Sequence, residues 1–180
     1  VALVLIVLGA VLASGCKEKK KSDGAKWVEK TETFYAVADA DVDEGLPDTN
    51  WGQEDSCSVG YLNGLGTFSL VKWNLSNIPS NAEVLEVTLR LNVTNMRNTV
   101  GSDFQFYVFK FNEAWDEMSV TWNIAAGLQG LLGTIPFDGP TATGVFEFTS
   151  TQAQMHPLLI FVQDWVSDPS KNYGIAIPVS

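Results

Sequence analysis

Cysteine and histidine are the scarce residues, with two of the first and one of the second in 180. Cys16 belongs to an N-terminal segment treated below, so Cys57 stands alone and no intrachain disulfide is expected in the processed chain. A thiol nucleophile needs a base, and the one histidine is His156; Cys57 is read as a small hydrophobe, buried or half-buried. A single histidine also excludes most histidine-built zinc sites. The chain has neither a Gly-rich phosphate loop nor a nucleophile elbow. Basic residues are few past the N-terminus. From Trp27 onward there are six Lys plus Arg against nineteen Asp plus Glu, a balance of −13. A surface this acidic does not hold a nucleic-acid backbone by charge, and it repels an anionic polymer unless a cation bridges the two. The apolar run Val1–Leu12 is too short to span a bilayer as a helix, and so is Pro157–Val166.

Apolar side chains make up 46% of the residues, so the chain is not a disordered tail. Aromatics reach 11%, six of them Trp, which suits a β core and a stacking surface. The clearest pattern lies in Val84–Thr94, VLEVTLRLNVT. Leu85, Val87, Leu89, Leu91 and Val93 alternate with Glu86, Thr88, Arg90, Asn92 and Thr94, which predicts a strand with one dry face and one wet face. Covering each apolar side chain gains roughly 1.5–3 kcal/mol. An antiparallel sheet with a second sheet packed on it is therefore expected.

Residues 1–15 read as a signal peptide whose core is VALVLIVLGAVL. Ala13-Ser14-Gly15-Cys16 resembles the lipobox of bacterial lipoproteins, with Ala13 where Leu is usual; an ordinary signal peptide followed by a chance Cys is the other reading. The resemblance implies cleavage before Cys16 and acylation of that residue. Three acyl chains would anchor the protein firmly, since each buried CH₂ adds ~0.8 kcal/mol. The missing Met and basic start point to a beginning upstream of Val1. Residues 16–30 form the lipidated Cys and a charged tether. Lys17 after the Cys resembles the sorting signal for the outer membrane, so the expected address is the outer membrane or cell surface.

Residues 31–180 make one domain. Strands are expected at Thr33–Ala38, Cys57–Leu62, Thr67–Leu75, Leu131–Ile135, Gly144–Phe148 and Asn172–Val179, with an Asp-rich loop over Ala38–Gly52. Asn63-Gly64 signals a hairpin. Phe104–Phe111, apolar on both phases, is expected to be a central strand covered on both faces. Leu158, Phe161, Val162 and Trp165 fall on one face of a helix over 157–166, read as a lid over one end of the sandwich.

Five segments in order carry a family resemblance: Ala38–Gly52, Leu70–Leu75 with Ile78-Pro79, Ala82–Leu91, Trp115–Asn123, and Val162–Trp165 with Asn172–Ile175. Together they resemble the DNRLRE domains. The resemblance implies an all-β, antiparallel jelly-roll β-sandwich with one short helix near the C-terminus, acting as a non-catalytic carbohydrate-binding module. Some members bind acidic polysaccharide. Phe68 and Asn74 depart from the Arg and Asp usual in that family, and the domain is poor in cations.

Candidate chemistry is spread thinly. Asp39, Asp41, Asp43, Asp48 and Asn50 offer hard oxygens at alternate positions, enough to suggest a structural Ca²⁺, though without EF-hand spacing. A solvated acidic loop with Asp capping its turns is the other reading. Asn50-Trp51-Gly52 and Asn172-Tyr173-Gly174 share one pattern, read as tight turns whose rings either plug the sandwich end or meet a sugar. The candidate ligand-binding residues are Trp51, Tyr61, Lys72, Arg90, Tyr107 and Tyr173; Trp73, Trp115, Trp122 and Trp165 are assigned to the core. Glu113, Asp116 and Glu117 raise a glycosidase reading. Against it, a carboxylate beside Trp accepts backbone or indole N–H bonds. The expected function is polysaccharide binding without cleavage by a lipid-anchored surface lipoprotein, with no required cofactor. The alternative is a structural or adhesive surface module, or part of a longer surface protein or polysaccharide-degrading enzyme.

Overall fold

The computed structural model describes residues 2–10, 27–95, 105–125, 137–138, 143–152 and 157–178. Cys16, most of the tether, the expected strand 131–135 and most of the connection 95–103 lie outside the described residues.

The period-two segment forms β5 (Glu83–Val93). Val87, Leu89 and Leu91 are buried while Arg90 and Asn92 are exposed, as the alternation predicts. The phase shifts at the start of the strand, where Val84 is buried and Leu85 only half-buried. The cause is a register irregularity: Glu86 and Val84 face consecutive residues of β1 (Ala2–Ala10), so Leu85 is the extra residue of a bulge.

A second long strand, β2 (Trp27–Asp43), joins two layers. Its first part pairs with β1, and its last part pairs with β4 (Leu65–Trp73). The register slips between Ala36 and Ala38, and the extra residue, Val37, is turned out to solvent. A bulge at this point lets one strand pass from one layer to the other. The first layer runs β2–β1–β5–β9, with β9 Gly144–Thr151. The second runs β7–β10–β4–β2, with β7 Phe109–Lys110 and β10 Ile175–Ile177. β3 (Gly60–Leu62) pairs with β4 across a turn in which Asn63 and Gly64 have φ of 55° and 84°, as the Asn-Gly signal predicts. Two short strands, β6 (Gln105–Phe106) and β8 (Phe137–Asp138), pair separately. All these pairings are antiparallel, and the fold is an all-β sandwich.

Two dry clusters hold the layers. One gathers Val71 and Trp73 of β4, Val84, Val87 and Leu89 of β5, Ile175 and Ile177 of β10, and the inner face of α2 (Pro157–Ser167). The other face of the second layer brings Phe68 and Leu70 together with Ala40, Val42, Phe111 and Val120. α2 buries Leu158, Phe161, Val162 and Trp165, the residues its spacing singles out. Gln163 ties the helix to β5: its side-chain carbonyl accepts from Val84 N–H at 2.8 Å, and its amide donates to Ala82 O at 3.1 Å.

Two expectations are corrected. The loop expected from Ala38 begins only after Asp43, because residues 38–43 pair with β4. Phe104–Phe111 is not a central strand; β7 is an edge strand beside β10, and the chain leaves strand geometry at Tyr107 and Val108. The doubly covered strand is instead β4. Residues 2–10 pair with both β2 and β5 in this chain.

Candidate functional site

The acidic candidates are fixed by hydrogen bonds within the fold. Asp39, Asp41 and Asp43 share one face of β2, with Ala40 and Val42 on the other. Asp39 accepts from the Cys57 thiol at 3.1 Å. Asp41 accepts from Ser58 N–H at 2.6 Å and from the Ser69 hydroxyl at 2.9 Å, and is only 7% exposed. Asp43 accepts from Gly45 N–H, and Asp48 from the Asn123 side chain, each at 2.7 Å. Asn50 donates to Glu117 O at 2.8 Å and Val120 O at 2.7 Å. Among the described residues, no group of three or more His, Cys, Asp or Glu is placed to hold a metal. Burial pushes the Cys57 thiol above its ordinary range, and the Asp41 and Asp39 carboxylates add to the shift. The thiol is therefore not poised as a nucleophile.

Both Asn-aromatic-Gly motifs are staples. Asn50 accepts from Gly52 N–H at 3.3 Å while its amide reaches the 117–120 segment. Asn172 accepts from Gly174 N–H at 3.2 Å while its amide donates to Trp73 O at 2.7 Å. The glycines serve close approach. A Cβ on Gly52 would lie 1.9 Å from Glu117 O, and one on Gly174 2.2 Å from Val71 O. Only Gly174 also has a left-handed φ, 82°.

Glu117 accepts the backbone N–H of Asp39 at 3.0 Å. Asp116 accepts from Met118 N–H at 3.1 Å, closing the turn that leads to α1 (Trp122–Ala125). Glu113 is exposed. The Asp39–Glu117 bond fastens residues 115–125 against β2, the Asn50 staple fastens them to the loop after it, and together they set where Trp122 sits.

The six candidate ligand residues do not form one site. Arg90 pairs with Glu147 on the wet face of β5 and β9. Lys72 is half-buried on β4. Trp51 is half-buried, and its indole N–H is shut away from solvent. Tyr107 packs near Phe109, ring centroids 6.4 Å apart. Tyr173 borders a shallow hollow of about 160 Å³ with Lys110 and Lys171. Both lysines there are already paired, with Asp164 at 2.7 Å and Asp168 at 3.6 Å. The Lys110 ammonium holds the Asp164 carboxyl below the ordinary carboxylate range.

Tyr61 alone of the six borders the larger groove, about 190 Å³, lined also by Glu44, Gly66, Thr67, Phe68, Trp122 and Pro178. Trp122 tilts over Phe68, ring centroids 5.2 Å apart. Sequence reasoning assigned Trp122 to the core and left Glu44 out of the ligand-binding set. The signal that could have placed them is the Asn63-Gly64 hairpin, which brings Gly66 back beside the end of β2.

Two measurements test this reading of the carboxylates. Glu117→Ala leaves Asp39 N–H without its partner, so it should lower stability by about 1–3 kcal/mol in denaturant titration; an unchanged midpoint would free Glu117 for another role. Burial pushes Asp41 up to about 6 from 3.8. The folded state then binds this proton more tightly than the unfolded state, so Asp41 lowers stability as pH rises from about 4 to about 6 and costs most above that. The difference is on the order of 2–3 kcal/mol at most. Asp164, with its pKa depressed, works in the opposite sense and loses its contribution as pH falls below the ordinary carboxylate range. Asp41→Asn should flatten the fall in stability between pH 4 and 6.

A comparison of the whole sequence with curated proteins finds no match. A family model does match: residues 30–153 fit the model of carbohydrate-binding module family 96, from β2 through β9, ahead of α2 and β10. With an all-β sandwich, carboxylates committed to backbone bonds and an aromatic groove beside a hairpin, the matched span is most of the chain, which belongs to carbohydrate-binding module family 96.

Proposed function

We propose that the chain is the polysaccharide-binding module of an exported, lipid-anchored surface lipoprotein, and that it binds without cleaving. The observation that carries this is the family match across the sandwich from β2 to β9. The hydrogen bonding of Glu117 and Asp116 agrees with it, since each carboxylate accepts a backbone N–H of the fold. The DNRLRE likeness and its jelly-roll strand order belong to the same proposal.

The anchor rests on Ala13-Ser14-Gly15-Cys16 behind the apolar core of residues 1–12. Cleavage before Cys16 removes β1 from between β2 and β5. The edges of β2 and β5 that face β1 would then be left without that partner. This reading does not require the structural calcium, since Asp39, Asp41, Asp43, Asp48 and Asn50 each already make a hydrogen bond within the fold.

Affinity electrophoresis through gels containing polysaccharides tests binding. Retardation by at least one glycan, with no fall in polymer length on incubation, is the expected result. No retardation by any glycan, with or without Ca²⁺, would favour the adhesive or structural role. In cells fed labelled palmitate, the chain should take up label and Cys16→Ala should not.

A further inference from the structure

We propose that the groove between the β3–β4 hairpin and α1 holds one uncharged pyranose ring of a neutral polysaccharide. The ring lies against Tyr61 and Trp122, with a hydroxyl on Glu44. The proposal rests on the polysaccharide-binding reading above and adds the place and the charge class of the ligand.

Three chemically different groups converge on Gly66. A Cβ built there would meet Trp122 Cη2 at 3.6 Å, Tyr61 Cε1 at 3.6 Å and Glu44 Oε2 at 3.8 Å. These are ordinary contact distances, and Gly66 does not have the left-handed φ of Gly64. Neither strain nor crowding therefore demands glycine at this position. Its effect is to leave open the floor between two aromatic rings and a carboxylate.

The walls are set before any ligand arrives. Tyr61 is 61% exposed, on a short strand fixed by the Asn63-Gly64 turn. Glu44 is clamped to the groove floor: its N–H donates to Gly66 O at 2.9 Å, and its Oε2 accepts from Gly66 N–H at 2.9 Å. Glu44 Oε1 has no partner among the described residues, so a carboxylate oxygen already held in place is left to accept a hydroxyl. Trp122 is held by its contact with Phe68 and by the neighbouring Asn123, whose N–H donates to Pro47 O at 3.1 Å. Side chains fixed in advance lose little entropy on binding. Aromatic rings offer the flat apolar surface that a pyranose face covers, and a carboxylate suits its hydroxyl edge.

Charge selects among sugars. Glu44 is the one charged side chain lining the groove. Lys30, Arg90, Lys110 and Lys171 each pair with a carboxylate elsewhere. A uronate would meet a carboxylate in a strongly acidic domain, with no Lys or Arg among the described residues that line the groove. A neutral hexose meets no such cost.

Isothermal titration of the full chain decides the matter. The probes are β-1,4-glucohexaose, β-1,3-glucohexaose and β-1,4-mannohexaose, with oligoalginate and oligogalacturonate as acidic counterparts. At least one neutral hexamer should bind and the acidic ones should not. Tyr61→Ala, a change at an exposed side chain, should weaken binding roughly tenfold or more. Gly66→Val fills the floor and should abolish binding, with the melting midpoint kept. Neutral binding that survives both variants overturns the placement, and binding of acidic oligomers alone overturns the charge class. In either case the polysaccharide reading stands. If no oligomer binds, that reading fails and the inference fails with it.

Discussion

The molecule depends on β4 being dry on both sides. Phe68 and Leu70 face one cluster, Val71 and Trp73 the other, and all four are almost wholly buried. At roughly 1.5–3 kcal/mol for each buried side chain, this one strand anchors both halves of the core. The first layer and α2 cover one face. The 115–125 segment, with Phe111 and Val120, covers the other. β2 can serve both layers only because a bulge at Val37 turns it from β1 to β4. Remove the second cover and Phe68 would be left facing water without the Trp122 ring that lies over it.

The second cover is irregular chain, so it has no ladder to hold it. Side chains do that work instead. Asn50 reaches Glu117 O and Val120 O, Glu117 takes the N–H of Asp39, and Asn123 reaches Asp48. Of the carboxylates that suggest catalysis or metal in the bare sequence, Glu117 and Asp48 serve as acceptors in this fastening. A binding module gains from the arrangement, because the same bonds that close the core also fix the groove wall before a ligand is present.

Local periodicity made much of this legible. The alternation of Leu85–Val93 identified β5 and its dry face, the three-and-four spacing of Leu158, Phe161, Val162 and Trp165 identified α2, and Asn63-Gly64 identified the hairpin. What failed were questions of neighbourhood. The Asp-rich end of β2 reads as a loop because Asp, Gly, Pro and Asn crowd the stretch Ala38–Gly52, and its pairing with β4 is what makes residues 38–43 strand. The bulge at Leu85 depends on a partner strand and leaves no mark in the β5 pattern. Phe104–Phe111 is apolar on both phases because Val108 and Phe111 enter different clusters, not because one strand is covered twice. The candidate ligand residues were chosen by type, and type does not say which of them meet. Tyr61 has Glu44 and Trp122 as neighbours only through the hairpin and the Asn50 staple.

Native-state amide hydrogen exchange tests the central claim most directly. The amides of Phe68–Val71, between two dry clusters, should exchange only with global unfolding and be among the slowest in the chain. Their partners at residues 39–42 of β2 should share that protection, while those of the 51–56 turn exchange by local opening. Fast exchange at Phe68–Val71, matching that turn, would show that β4 is not the covered middle of the fold and would contradict the account.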